Sequence, residues 1–95
     1  MSGWTFLTNH AHVLICVARD PGIRLRDIAS RVGITEGAAQ RIVADLVAAG
    51  YLVRQREGRR NSYELQGDLP LRHPLEQEHR IGEILAVLRP EVPAA

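Results

Sequence analysis

Four arginines, Arg54, Arg56, Arg59 and Arg60, stand within seven residues against the single acid Glu57, a local net charge of +3. This is the strongest local field in the chain. A guanidinium is a planar fork of N–H donors, suited to gripping phosphate oxygens or the acceptor edge of guanine. All 12 basic residues are arginine and none is lysine. Arg24, Arg26 and Arg31 add cations upstream, each either a phosphate contact or a solvated side chain. A second constellation is His12 with Cys16, four residues apart, the spacing at which a helix presents a metal pair. The plainer account is a small buried thiol beside a surface imidazole, and we adopt it. There is no glycine-rich phosphate loop, no Gly-x-Ser-x-Gly elbow, no HExxH and no Cys-His pair with an orienting acid. The four histidines are scattered. The sequence therefore predicts no catalytic site, no metal and no cofactor.

The arginine cluster needs a hairpin to carry it. Residues 51–56 read as a strand, 57–61 as its tip, with Gly58 supplying the backbone freedom, and 62–65 as the return strand with Tyr63 and Leu65 on one face. Directly before it, residues 25–51 read as two helices joined by a tight turn. In the first, over 25–32, Leu25, Ile28, Ala29 and Val32 form the apolar face. Gly33 and Ile34 make the turn. In the second, over 36–49, Ala38, Ile42, Val43, Leu46 and Val47 share one face, and Glu36, Gly37, Gln40, Arg41, Ala44 and Asp45 share the other. Thr35 stands where an N-cap hydroxyl accepts the first free N–H groups, and Gly50 where a left-handed residue closes a helix. This is the helix-turn-helix order.

The flanks supply the rest of the core. A helix from Thr8 or Asn9 runs to the Asp20-Pro21-Gly22 turn, and Ile23 adds a short extended piece. Trp4 and Phe6 precede it in a segment too short to fold alone, and are expected to pack on this core or on a partner subunit. Residues 67–74 read as a linker. Residues 75–89 then read as an amphipathic helix with Leu75, Ile81, Ile84, Leu85 and Leu88 as its apolar positions, stopped by Pro90 and Pro93.

Helix-turn-helix followed by a basic hairpin is the winged-helix order, and residues 27–65 (DIASRVGITEGAAQRIVADLVAAGYLVRQREGRRNSYEL) resemble the core of winged helix-turn-helix transcriptional regulators of the MarR and ArsR type. The features that carry the resemblance are Ile28-Ala29, Gly33-Ile34-Thr35, Leu46, Gly50-Tyr51-Leu52-Val53 and Gly58-Arg59-Arg60-Asn61. It implies a mainly α fold with a small β-hairpin, an N-terminal DNA-binding domain over 1–66 and a C-terminal dimerisation helix. It also implies double-stranded DNA as partner and a homodimer, with Trp4, Leu75, Ile81, Ile84, Leu85 and Leu88 at the two-fold interface. Thr35, Glu36, Gly37, Gln40 and Arg41 would then face the major groove, Gln40 pairing with adenine and Arg41 with guanine or phosphate. Arg54, Arg56, Arg59, Arg60 and Asn61 would hold phosphates or enter the minor groove.

Two departures from the pattern stand out. Glu36 places an acid where it repels phosphate, and Gly37, Ala38 and Ala39 leave few side chains to read bases. The same fold could instead serve as a protein-interaction module, with Glu36, Gly37 and Ala38 as its docking face. ArsR-type metal sensors carry ligands on a C-terminal helix, and Glu76, His79 and Glu83 with His73 occupy that region here. No thiolate pattern accompanies them, and a solvated helix face is the expectation. A small effector, where one acts, would lodge between the helices of the dimer.

Ninety-five residues, 45% of them hydrophobic, suit one small domain, for which dimerisation is an added source of stability. The net charge of +1 gives no global attraction to a polyanion, so attraction must come from clustering. With Cys16 as the single cysteine, no intrachain disulfide forms, and the chain suits the reducing cytoplasm. The longest apolar run is too short to span a bilayer.

Overall fold

The structure, a computed structural model, describes residues 3–88 and contains four helices and one β-hairpin. Helix α1 spans Asn9–Arg19, and the Thr8 hydroxyl caps it by accepting the Ala11 N–H at 3.2 Å. It buries Val13, Leu14, Cys16 and Val17. Helix α2 spans Leu25–Val32 and buries Ile28 and Ala29. Gly33 ends it at φ 86°, a left-handed conformation that a β-carbon disfavours, and this turns the chain into α3.

Helix α3 spans Glu36–Ala48. Thr35 Oγ1 accepts the Ala38 N–H at 3.1 Å, as the sequence predicts. At the other end the Tyr51 N–H donates to Leu46 O and the Gly50 N–H to Val47 O, with Gly50 at φ 89°. That pair of bonds is the Schellman arrangement, which satisfies the last free carbonyls and aims the chain into the hairpin. The buried face consists of Ala39, Ile42, Val43 and Leu46. Ala39, not Ala38, is the fully buried alanine, because the helix turns slightly further into the α1–α2 angle than the expected face implied.

Strands β1 (Leu52–Glu57) and β2 (Arg60–Leu65) pair antiparallel, from Leu52 opposite Leu65 to Glu57 opposite Arg60. The tip is therefore only Gly58 and Arg59, and Arg60 and Asn61, expected at the tip, belong to the return strand. Gly58 has φ 63° and no non-glycine residue has positive φ, which is the signature of a type II′ turn with glycine first.

The C-terminal region departs most from expectation. Helix α4 spans only Ile81–Val87, and residues 70–80 form turns instead of the first half of a long helix. Pro74 excludes a helical conformation for the residue before it, and His73 Nδ1 accepts the Leu75 N–H at 3.0 Å, a local bond that competes with helix formation. The segment folds back on itself: the Leu71 N–H donates to His79 O and the Ile81 N–H to Leu69 O, both at 2.9 Å. Residues 67–74 are thus not a free linker. Leu69 and Leu71 pack against the core, and Ile81 and Leu85 are part of it. Two of the six residues assigned by sequence to a dimer interface, Ile81 and Leu85, are committed inside the protomer. The last expected helical position, residue 89, and Pro90 and Pro93 lie outside the described residues.

One core joins all of these elements, with Val13, Val17, Ile28, Val43 and Leu52 as its most enclosed large side chains. Burying each such aliphatic side chain contributes about 1.5–3 kcal/mol. No buried side-chain nitrogen or oxygen among the described residues lacks a hydrogen-bond partner.

Candidate nucleic-acid interface

The surface of α3 left free by this packing begins at its capped end. Thr35, Glu36, Gly37, Gln40 and Arg41 are all exposed, one turn apart or adjacent, and their side chains project away from the core. Among the described residues, Gln40 and Arg41 make no side-chain hydrogen bond or ion pair, so both are available. Asp45, two turns on, is committed to His10 Nε2 at 2.9 Å, a bond that fastens α3 to α1.

The hairpin, or wing, divides its arginines by the pleat. Residues opposite one another in the register share a face, which puts Arg54, Arg56, Asn61, Tyr63 and Leu65 on one side with Leu52. Arg54 reaches across the ladder and lies over the ring of its partner Tyr63, 6.0 Å from the centroid. Arg56 Nε donates to Gly58 O at 3.3 Å. The opposite side carries Gln55 and Glu64, hydrogen-bonded at 3.0 Å, and Glu57. The wing is thus basic on one face and mixed on the other, which the linear count of charges does not reveal.

Arg60 is diverted. Its Nη2 donates to Gly22 O at 2.9 Å, and beside it the Tyr63 N–H donates to Pro21 O at 3.0 Å. The return strand is thereby clamped to the α1–α2 turn. Arg59, at the tip, has no such tie. Arg59 and Arg60, grouped by the sequence pattern, line one groove, and the fold ties only Arg60 to the α1–α2 turn. It also brings Arg24 to the wing, a neighbour no spacing rule could have found, because the proximity depends on how the hairpin folds back.

Across residues 24–60 the chain carries eight arginines and four acids, a net of +4, so the remainder is net acidic. The nearly neutral whole conceals a basic half. Elsewhere, burial pushes the Cys16 thiol above its ordinary value, against the opposing charges of Arg31 and Arg19, which disfavours the thiolate. His12 pairs within α1 with Asn9. His79 pairs with Glu83 at 3.0 Å, which raises the imidazole, and the Glu83 carboxyl is lowered first by the Arg80 backbone N–H that it accepts and then by His79, while His73 is occupied by the Leu75 N–H. No group of three or more His, Cys, Asp or Glu among the described residues is placed to hold a metal ion. No helix among them is long and apolar enough to cross a membrane.

Expected interface positions also divide. Leu75 is 90% exposed and Ile84 and Leu88 are half-buried, and together with Leu7, Leu71 and the 83% exposed Val87, a position not expected there, they line an open apolar depression that no wing residue lines. Trp4 and Phe6 stack edge to face at 5.0 Å on the same end of the molecule, where Phe6 lines a neighbouring cleft of about 240 Å³ between α1, α3 and α4.

A support helix, a capped second helix and an arginine hairpin latched to the preceding turn define a winged helix-turn-helix module. The sequence model of the MarR family matches residues 4–60, and the chain belongs to that family. Among solved structures it is similar to the PcaV transcriptional regulator from Streptomyces coelicolor, determined with its natural ligand, at 29% identity and TM-score 0.52 over 68% of this chain and 48% of that one. It is similar to AdcR, a zinc-dependent MarR family transcriptional regulator in its Zn(II)-bound state, at 20% identity and TM-score 0.50 over 70% and 47% of the two chains. It also shares the fold of T. potens IscR, at 16% identity and TM-score 0.59 over 92% and 90%. The chain spans about half the length of PcaV and AdcR. No curated protein matches. Of these structures, PcaV and AdcR are transcriptional regulators.

Proposed function

We propose that this chain regulates transcription in the cytoplasm as a homodimer, each subunit inserting the exposed start of α3 into a major groove of duplex DNA while the wing follows the backbone. The observation that carries this is the pairing of two free surfaces: Gln40 and Arg41 on the capped end of α3, and a wing whose arginines form no ion pair with a carboxylate among the described residues. Gln40 is suited to adenine and Arg41 to guanine or phosphate. Glu36 is suited to a cytosine amino group, and Thr35 to a phosphate at the helix start.

The exposed Leu75, Val87 and Trp4 and the half-buried Ile84 and Leu88 support a two-fold contact on a face that no wing residue lines. A dimer built there predicts a pseudo-palindromic site with half-sites roughly 34 Å apart, one turn of DNA. The test is selection of bound sequences from random duplexes at low salt. Enrichment of an inverted repeat supports the proposal, and recovery of no duplex above background removes it in favour of a protein-interaction module.

A further inference from the structure

Between the α1–α2 turn and the tip and β2 strand of the wing lies an open groove of about 390 Å³, walled by Arg24, Arg59, Arg60 and Asn61 over Ile23 and Tyr63. No carboxylate lines it. We propose that this groove seats a backbone phosphate of duplex DNA, with Arg24 and Arg59 as its ligands and Arg60 as the positioning side chain that sets its width. The inference rests on the DNA-binding function proposed above.

Three arginines line one opening with no carboxylate among its lining residues, and forked donors suit the oxygens of a phosphodiester. The side chains of Arg24 and Arg59 have no hydrogen-bond or ion-pair partner among the described residues, so binding an anion breaks nothing. Arg60 differs: its bond to Gly22 O, seconded by the Tyr63 N–H to Pro21 O, fixes the strand that carries one wall against the turn that carries the other. The groove offers no exposed aromatic face on which a base could stack. Tyr63 is only 6% exposed and Arg54 lies over its ring, which favours a backbone phosphate over a nucleobase.

The experiment measures affinity for a labelled random-sequence duplex across a salt series. Each phosphate contact contributes about 0.9 to the slope of log affinity against log salt. Arg24→Ala and Arg59→Ala should each lower the slope by about 0.9, and the pair by about 1.8. Arg60→Ala should weaken binding in the wild-type background yet add nothing on top of Arg59→Ala, because it acts through Arg59. Arg60→Lys, which keeps a donor for Gly22 O, should restore most of the loss, and melting temperatures of the Arg24 and Arg59 variants should match wild type. Wild-type affinity and slope in both Arg24→Ala and Arg24→Gln would overturn the seat. A separate slope loss of about 0.9 from Arg60→Ala in the Arg59→Ala background would overturn its positioning role. Inorganic phosphate that binds wild type but not Arg24→Ala, with the DNA slope unchanged, would make the groove a free-anion site instead. Failure of the wild type to bind any duplex removes the proposed function as well, and so is told apart from failure of a variant.

Discussion

Replacing Gly82 with alanine should loosen the C-terminal helix through a clash that no side-chain rotation can relieve. Gly82 is the second residue of α4, and its N–H donates to Gly67 O at 2.9 Å. A β-carbon at Gly82 would lie 2.8 Å from Gly67 O, 3.2 Å from its Cα and 3.3 Å from its carbonyl carbon. All three are backbone atoms, so the helix or the 66–69 segment must shift. Overpacking of this kind costs about 1–3 kcal/mol and the weakened hydrogen bond about 1 kcal/mol, while alanine's better helix propensity returns close to 1 kcal/mol. The net is about 2 kcal/mol of destabilisation, or a fall in Tm of roughly 8–16 °C for a domain of this size. Gly67→Ala is the control. Its β-carbon would meet Gly82 Cα at 3.4 Å, an ordinary contact, and it should be nearly neutral. Thermal melts and urea titrations of both variants decide the matter. A Gly82→Ala protein that melts at or above wild type, or a Gly67→Ala protein equally damaged, refutes the close-approach account of how α4 is held.

Other expectations are simpler. Thr35→Ala removes the hydroxyl that accepts the Ala38 N–H and should cost about 1 kcal/mol by denaturant titration, with Thr35→Asp restoring it. Ile28→Ala empties a fully enclosed site and should cost about 2–5 kcal/mol, a large share of a total of about 5–15 kcal/mol, read as a lowered urea midpoint by circular dichroism. Leu75→Arg with Val87→Arg should leave Tm near the wild-type value, since both side chains are exposed, yet shift the sedimentation coefficient to that of a monomer. The His79–Glu83 pair should stabilise most between pH 4.5 and 6.5. The raised His79 contributes fully below 6.5, and this is lost as pH rises through its folded value. The lowered Glu83 contributes above 4.5, and this is lost as pH falls through its folded value. The stability difference between wild type and Glu83→Gln, followed against pH, should peak in that window; a flat difference contradicts the pairing.

The elements legible in the sequence are those whose causes are local. Thr8, Thr35, Gly33 and Gly50 mark helix ends because capping bonds span only a few residues, and α1, α2 and α3 follow with bounds within a residue or so of expectation. The hairpin's register was less legible: Arg60 and Asn61 enter the strand because glycine-first turns need only two residues, a preference the charge pattern does not encode. The C-terminal helix misled for a physical reason. Leu75, Ile81, Ile84, Leu85 and Leu88 have nearly helical spacing, but His73 and Pro74 redirect the chain, and Leu69, Leu71 and Ile81 find burial through long-range bonds instead. At the candidate interface, the arginine cluster was visible as charge, whereas its division into a tethered Arg60, a ring-covered Tyr63 partner in Arg54 and a free Arg59 depends on tertiary contacts.

The clamp between Tyr63 and Pro21 has a bearing on solubility. Opposite sides of a two-stranded ladder face outward, and here the β2 side is occupied by the α1–α2 turn. The β1 side, along Leu52–Glu57, is bare among the described residues, the kind of margin that recruits strands from other molecules. Arg54, Arg56 and Glu57 line that margin. The charges that suit the wing to a polyanion therefore also guard it against self-association into sheets, and neutralising them would be expected to lower the concentration at which the free protein precipitates.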